Sequence, residues 1–273
     1  MLSIVFPSRV KGNPDSKLKR ICDSIVSLSS EEELKQVEII IKYDNDDDGI
    51  PSEEFLNSYP FEIKHCVYAR GEGRYSNNEF YTYLYTLRNK KSRFIFFSTD
   101  DIYFRRKGFI KDILSIENEY AICGGGYQAG TTWWTPKYKN ADLRNMYSYD
   151  GTLGDYTPLL SVKVVECVQN VGLQHAVDMW ALCLAVSLYQ QFKVDIWRDI
   201  ENFYVREDGR DIPGQTHYLG YPPIWNKMTC AGPQKCKNNY YFDLVDQQAK
   251  NIYLSMTYDK YMKQSLESGG LPK

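Results

Sequence analysis

Residues 2–6 are a short β-branched and aromatic run closed by Pro7, which predicts a buried strand. Over 14–28 the period changes. Leu18, Ile21, Cys22, Ile25 and Leu28 recur at three- and four-residue intervals, so an amphipathic helix is predicted. Apolar runs at 37–42, 61–68 and 93–97 predict three more strands. Before the last of them a Gly-rich polar loop over 70–78 leads into a helix with Phe80, Tyr83, Leu84 and Leu87 on one face. The order strand, helix, strand, strand, helix, strand predicts an α/β fold: an open, mainly parallel sheet with helices on its faces.

The pattern is less regular further on. A helix is predicted over 108–117, a strand over 121–126 running into three glycines, and an aromatic loop over 131–136. Residues 158–171 fit a strand or a helix equally. A buried helix is expected over 178–191, short strands over 194–197 and 203–205, a Gly/Pro/Tyr-rich loop over 215–223, and a long amphipathic helix over 241–266. Neither an internal repeat nor a linker divides the chain, so one domain over 1–273 is expected.

Composition narrows the class. A chain of 273 residues can bury a full core without disulfide or metal staples. With 33 Lys+Arg against 35 Asp+Glu, the net charge of -2 gives no global field toward nucleic acid or an anionic membrane. Aromatic residues are 15% of the chain, with 23 Tyr; most are expected in packing and some at a sugar- or nucleotide-like site. Seven cysteines include no Cys-x-x-Cys, and Cys22, Cys66, Cys123, Cys167 and Cys183 stand alone in apolar contexts. That excludes a zinc ribbon or a secreted disulfide framework and points to a reducing, cytoplasmic compartment. No transmembrane or targeting segment is expected: the apolar start ends at Pro7, and 181–188 is too short to span a bilayer.

Open parallel sheets bind ligands outside the carboxyl ends of their strands. Three of the first four predicted strands end in polar groups: Ser8 with Arg9, the acidic stretch from Asp44 to Asp48, and Asp100 with Asp101. Adjacent carboxylates at a strand end suit Mg²⁺ or Mn²⁺, although a turn capped by Asp101 would use the same residues. The loop from Asp44 nearly matches a calcium-binding EF-hand, with Asp44, Asp46, Asp48 and Gly49 in register, but Phe55 stands where a bidentate Glu is needed. A nucleotide-contacting strand end or a solvated turn is therefore preferred to a calcium loop. Arg70-Gly71-Glu72-Gly73-Arg74 offers guanidinium groups for phosphate, or a solvated turn. Asp178, three residues after His175, enters the buried helix either as a helix-start residue or as a general base. His217 lies in the Gly/Pro/Tyr-rich loop.

Taken together, Ile4-Val5-Phe6-Pro7-Ser8-Arg9, Ile39-Ile40-Ile41-Lys42-Tyr43-Asp44-Asn45-Asp46 and Phe94-Ile95-Phe96-Phe97-Ser98-Thr99-Asp100-Asp101 resemble a GT-A fold glycosyltransferase of the family 2 type. The resemblance covers motif order from Leu2 to His217. It implies a Rossmann-like single domain with a nucleotide-sugar-binding half (1–105), an acceptor-binding half (106–225) and a C-terminal helical extension (226–273). It implies that Pro7, Ser8, Arg9 and Asp44 hold the base and ribose of a donor, most simply a UDP-sugar, that Ser98 and Thr99 complete the donor-nucleotide site, and that Arg74 meets the diphosphate. Ser98-Thr99-Asp100 matches the family's Asp-x-Asp motif with Ser in place of the first Asp. Asp100, with Asp101 and His217, is then the implied seat of Mn²⁺ or Mg²⁺, and Asp178 the base of an inverting transfer. Gly125, Trp133, Trp134 and His175 fall where the family receives its acceptor, a glycan, lipid-linked or small-molecule hydroxyl. Ser98 also permits an inactive sugar- or nucleotide-binding module, and a nucleotidyltransferase shares the sheet and acidic ligands.

Overall fold

The computed structural model describes residues 1–8, 10, 15–69, 85–98, 100, 102–126, 159–168, 177–206 and 239–268. Strand β1 (Leu2–Pro7) pairs in parallel with β2 (Val37–Asp44) on one side and β4 (Phe94–Phe97) on the other, and β3 (Glu62–Tyr68) extends the parallel set beyond β2. The sheet continues through β5 (Ile102–Phe104), β6 (Ile122–Gly126), β7 (Leu159–Ser161) and β8 (Trp197–Arg206) in the order β3-β2-β1-β4-β7-β6-β8-β5. Only β7 and β5 run against the rest.

Side chains alternate across a strand, so a sheet buried on both faces needs apolar residues at odd and even positions alike. Leu2, Ile4 and Phe6, with Ile39, Ile41, Phe94 and Phe96, face α1 (Asp15–Leu28) and α4 (Phe109–Leu114). The helix α1 buries Leu18, Ile21, Cys22 and Ile25, the stripe its sequence predicts. Val5, Ile40, Ile95 and Phe97 face the opposite layer, built from α5 (Val162–Val168), α6 (Val177–Phe192) and α7 (Asn239–Glu267). Most described Phe residues serve packing: Phe96, Phe104, Phe109 and Phe203 form one buried cluster, with Phe104 and Phe109 stacked at 4.4 Å.

The terminal helix belongs to this core. Val245, Ala249 and Ile252 are buried within it. Its far end is tied down where the Tyr120 hydroxyl donates to Asp259 (2.8 Å) and the Lys163 ammonium donates to the same carboxylate oxygen (2.7 Å). These bonds, Lys163 first, hold Asp259 below the usual carboxylate range.

Several elements differ from the sequence reading. Within the stretch 158–171, the described residues 159–168 contain both alternatives, because the Ser161 hydroxyl ends β7 and accepts the Val164 N–H (3.4 Å), as an N-cap does for a new helix. In place of the two short strands expected at 194–197 and 203–205 there is a single strand, β8, which starts at Trp197 and runs through the second. It pairs with β6 through an irregularity between Gly124 and Gly126, so the polar stretch at its middle marks a bulge and not an end. Strand β5 and the one-turn helices α2 (Glu31–Leu34) and α3 (Glu53–Leu56) are too short to leave a periodic signal. The predicted helix at 108–117 is trimmed to α4. Cys22, Cys123 and Cys183 are buried, as expected, and Cys66 and Cys167 are half-buried.

Candidate functional site

Strands β1, β2, β3 and β4 point the same way, so their carboxyl ends share one edge of the sheet. The chain leaving β1 is stitched to β2 there: the Ser8 N–H donates to the Lys42 carbonyl (2.8 Å) and the Asp48 N–H to the Val10 carbonyl (3.4 Å). On the other side the Ser98 N–H donates to the Val5 carbonyl (2.8 Å), continuing the β1–β4 ladder past the end of β4. The Asn45 N–H donates to the Tyr68 carbonyl (2.8 Å), drawing in the end of β3. These main-chain bonds fix four strand ends relative to one another.

The side chains on this edge carry charge. The Ser8 hydroxyl donates to Oδ2 of Asp100 at 2.9 Å, and the Lys17 ammonium, from the first turn of α1, donates to the same oxygen at 2.8 Å. Ser98, directly after β4, is buried. Lys42 and Asp44 lie on one face of β2, two residues apart, and form an ion pair that is almost wholly buried. A lysine in a strand buried on both faces needs such a partner.

Asp44, Asp46 and Asp47 bring carboxylate oxygens within 4.8 Å of one another, and the Asp44 N–H donates to Oδ2 of Asp47 (2.9 Å). This trio is not the set of positions an EF-hand uses. Phe55, at the twelfth position, sits in α3, where its N–H donates to the Ser52 hydroxyl. The strand preceding the loop and the absent glutamate are both as the sequence reads.

Of the sequence-predicted site, the structure thus brings Pro7, Ser8, Asp44, Ser98 and Asp100 to one edge. Gly125 lies in β6, whose direction matches that of β4, so its end opens on the same edge. Arg9, Arg74, Thr99, Asp101, Trp133, Trp134, His175 and His217 lie outside the described residues.

Asp178 is the second residue of α6. The direction of that helix follows from its neighbours. Tyr120 and Lys163, at the amino edge of the sheet, bond Ser255 and Asp259 of α7, whereas Ser187 of α6 bonds Asp246, thirteen residues earlier in α7. Phe192, at the end of α6, stacks on Tyr253. The first turn of α6 therefore points toward the carboxyl edge, where Asp100 lies.

Two functional candidates escaped the sequence reading. Lys17 falls next to the apolar stripe of α1 and looks like an ordinary solvated residue. Lys42 carried a usable signal, a single cation in a buried strand two residues from an aspartate.

The chemistry of the edge fits a hard divalent cation. Asp100 offers a sheltered carboxylate oxygen with a hydroxyl beside it, the donor type that Mg²⁺ and Mn²⁺ select. Among the described residues, no helix is long and apolar enough to cross a membrane.

No family model matches the sequence, and neither does any curated protein. Solved structures do match. The chain is similar to TarS 1-349 of S. aureus in complex with UDP, at 11% identity over 100% of this chain and 93% of that one, with a TM-score of 0.51. It is also similar to the mannosyltransferase PcManGT of Pyrobaculum calidifontis in complex with GDP-Man and Mn²⁺, at 8% identity over 99% of this chain and 76% of that one, again with a TM-score of 0.51. A longer TarS chain is matched over only 36% of its length. Likeness over the whole chain, with a mostly parallel sheet between two helical layers, shows that this protein has the GT-A fold.

Proposed function

We propose that the chain is a nucleotide-sugar-dependent glycosyltransferase that moves a sugar onto an acceptor hydroxyl with inversion. The observation that carries this reading is the meeting of Ser8, Asp100 and a cationic side chain at the carboxyl edge, beside the buried Lys42–Asp44 pair. The fold likeness to proteins solved with UDP and with GDP-Man and Mn²⁺ supports it.

In this reading Pro7, Ser8, Arg9 and Asp44 hold the nucleoside, Ser98 and Thr99 complete the donor-nucleotide site, and Arg74 meets the diphosphate, UDP being the first candidate. Asp100, with Asp101 and His217, would hold Mn²⁺ or Mg²⁺, whose charge when bound stabilises the leaving diphosphate. Asp178 takes the proton from the acceptor hydroxyl. The acceptor oxygen then bonds to the anomeric carbon from the face opposite the diphosphate as the bond to the diphosphate breaks. Gly125, Trp133, Trp134 and His175 receive the acceptor. Residues 1–105 form the donor half and 106–225 the acceptor half, in a reducing, cytoplasmic setting.

The test is turnover. With Mn²⁺ and a panel of UDP- and GDP-sugars, release of nucleoside diphosphate is expected. Saturable donor binding without release would instead show a binding module, the reading that Ser98 in the Asp-x-Asp position permits; release of pyrophosphate would show a nucleotidyltransferase. Two variants probe the donor site. Asp44→Ala is expected to weaken nucleotide binding about tenfold, the effect of removing one hydrogen bond to a charged group. Micromolar calcium binding that disappears in this variant would assign the loop to calcium. Asp100→Asn is expected to lower metal-dependent nucleotide affinity and turnover together. Calorimetry showing equally tight nucleotide binding in EDTA would remove the metal from the reading.

A further inference from the structure

We propose that Lys17 and a divalent cation compete for the same oxygen of Asp100, and that the donor diphosphate draws the ammonium away as the cation enters. This rests on the donor-site reading above. Oδ2 of Asp100 already accepts two hydrogen bonds, from Lys17 Nζ at 2.8 Å and from Ser8 Oγ at 2.9 Å. The Asp100 side chain is 17% exposed and that of Lys17 42%, so the carboxylate is sheltered and the amine reaches it from solvent. Ser98 supplies no carboxylate at the first position of the triplet, so among the described residues there Asp100 is the anionic group that both the ammonium and the cation would use.

An ammonium and a divalent cation on one carboxylate oxygen repel at short range, and sheltering from water strengthens the repulsion. One must leave. Lys17 can, because its charge sits on a flexible four-carbon stem while the backbone of α1 stays anchored by the buried Leu18, Ile21 and Ile25. A diphosphate arriving beside Asp100 supplies the displaced ammonium with a new anionic partner. The two ion pairs are exchanged and not simply broken, and cation and nucleotide each bind better with the other present. By linkage that coupling is reciprocal.

The test titrates Mn²⁺ into nucleotide-free protein, following free Mn²⁺ by electron paramagnetic resonance, and repeats the titration with saturating UDP, then GDP. Wild type is compared with Lys17→Met, Lys17→Arg, Asp100→Asn and the double variant Lys17→Met/Asp100→Asn, with circular dichroism confirming folding. Without nucleotide, Lys17→Met is expected to bind Mn²⁺ at least about threefold tighter than wild type, the scale of a half-exposed ion pair. Lys17→Arg keeps the wild-type value, and the gain disappears in the double variant. The strengthening of Mn²⁺ binding by nucleotide is expected to fall about tenfold from wild type to Lys17→Met. Unchanged or weaker Mn²⁺ binding in Lys17→Met, or a gain that survives Asp100→Asn, overturns the proposal. If neither nucleotide binds any variant while the Mn²⁺ gain is present, competition at Asp100 stands and the donor-site reading falls.

Discussion

Asp178→Asn is expected to reduce sugar transfer at least about a hundredfold while leaving donor binding and the melting temperature nearly unchanged. Asp178 is the only acidic residue between Glu166 and Asp195, and it occupies the first turn of α6 on the side of the molecule where Asp100 lies. A carboxylate in a helix's first turn contributes about 0.3–1 kcal/mol through the helix dipole, and asparagine keeps its size and most of its hydrogen-bonding capacity. A purely structural role would therefore show as a small loss of stability with no chemical step singled out. General base catalysis contributes roughly a hundred- to ten-thousand-fold in rate. The two roles separate in one variant, provided donor binding is measured beside turnover. Transfer within a few-fold of wild type would eliminate Asp178 as the base.

The parallel part of the sheet, β1 to β4, was legible because both signals on which it depends are local. A strand buried on both faces is a mostly apolar run, and β1, β2 and β4 are such runs, interrupted inside only by Ser3, Glu38 and Lys42; their ends are marked by the polar residues that follow. Parallel pairing then places those ends together without any knowledge of side-chain contacts. What sequence could not supply was partnership across elements. Nothing in Lys17 announces that α1 lays it against Asp100, eighty-three positions away. Strand β8 was split in two for a related reason: its continuity depends on a bulge against β6 and an antiparallel match to β5, both long-range events. Ser161 is the converse case, where one hydroxyl converts an ambiguous apolar stretch into a strand followed by a helix.

At the amino edge, opposite the candidate site, a fully buried carboxylate predicts the largest change in stability. Glu38 lies beside Ser3 in the β1–β2 register. Its Oε1 accepts from the Ser3 hydroxyl (2.6 Å), the Asn89 N–H (2.7 Å) and the Ser92 hydroxyl (3.2 Å), and its Oε2 from the Lys64 ammonium (2.8 Å). Burial alone would raise its pKa, but the bonds from Lys64, Ser3 and Asn89 together hold it below the ordinary glutamate range. Lys64 is shifted the other way: burial would lower it, and Glu38 and then Glu62 raise it. Glu38→Ala strands several donors at once and is expected to destabilise the fold by roughly 2–4 kcal/mol. Glu38→Gln keeps an acceptor for Ser3 and Asn89 and is expected to lose less. The pH dependence distinguishes ionic from merely polar support. A carboxyl group whose folded pKa is depressed contributes stability that is fully present above its unfolded value, about 4.3, and is lost as pH falls through the folded value. The raised Lys64 contributes below its unfolded value, about 10.4, and that contribution is lost only as pH rises through the folded value, so it is constant across the acid range. Urea denaturation between about pH 6 and 3 is therefore expected to show wild type losing stability more steeply than Glu38→Gln, with the two curves converging at the acid end. Parallel curves over that range would show that the carboxylate charge contributes nothing, leaving Glu38 as a neutral hydrogen-bond acceptor.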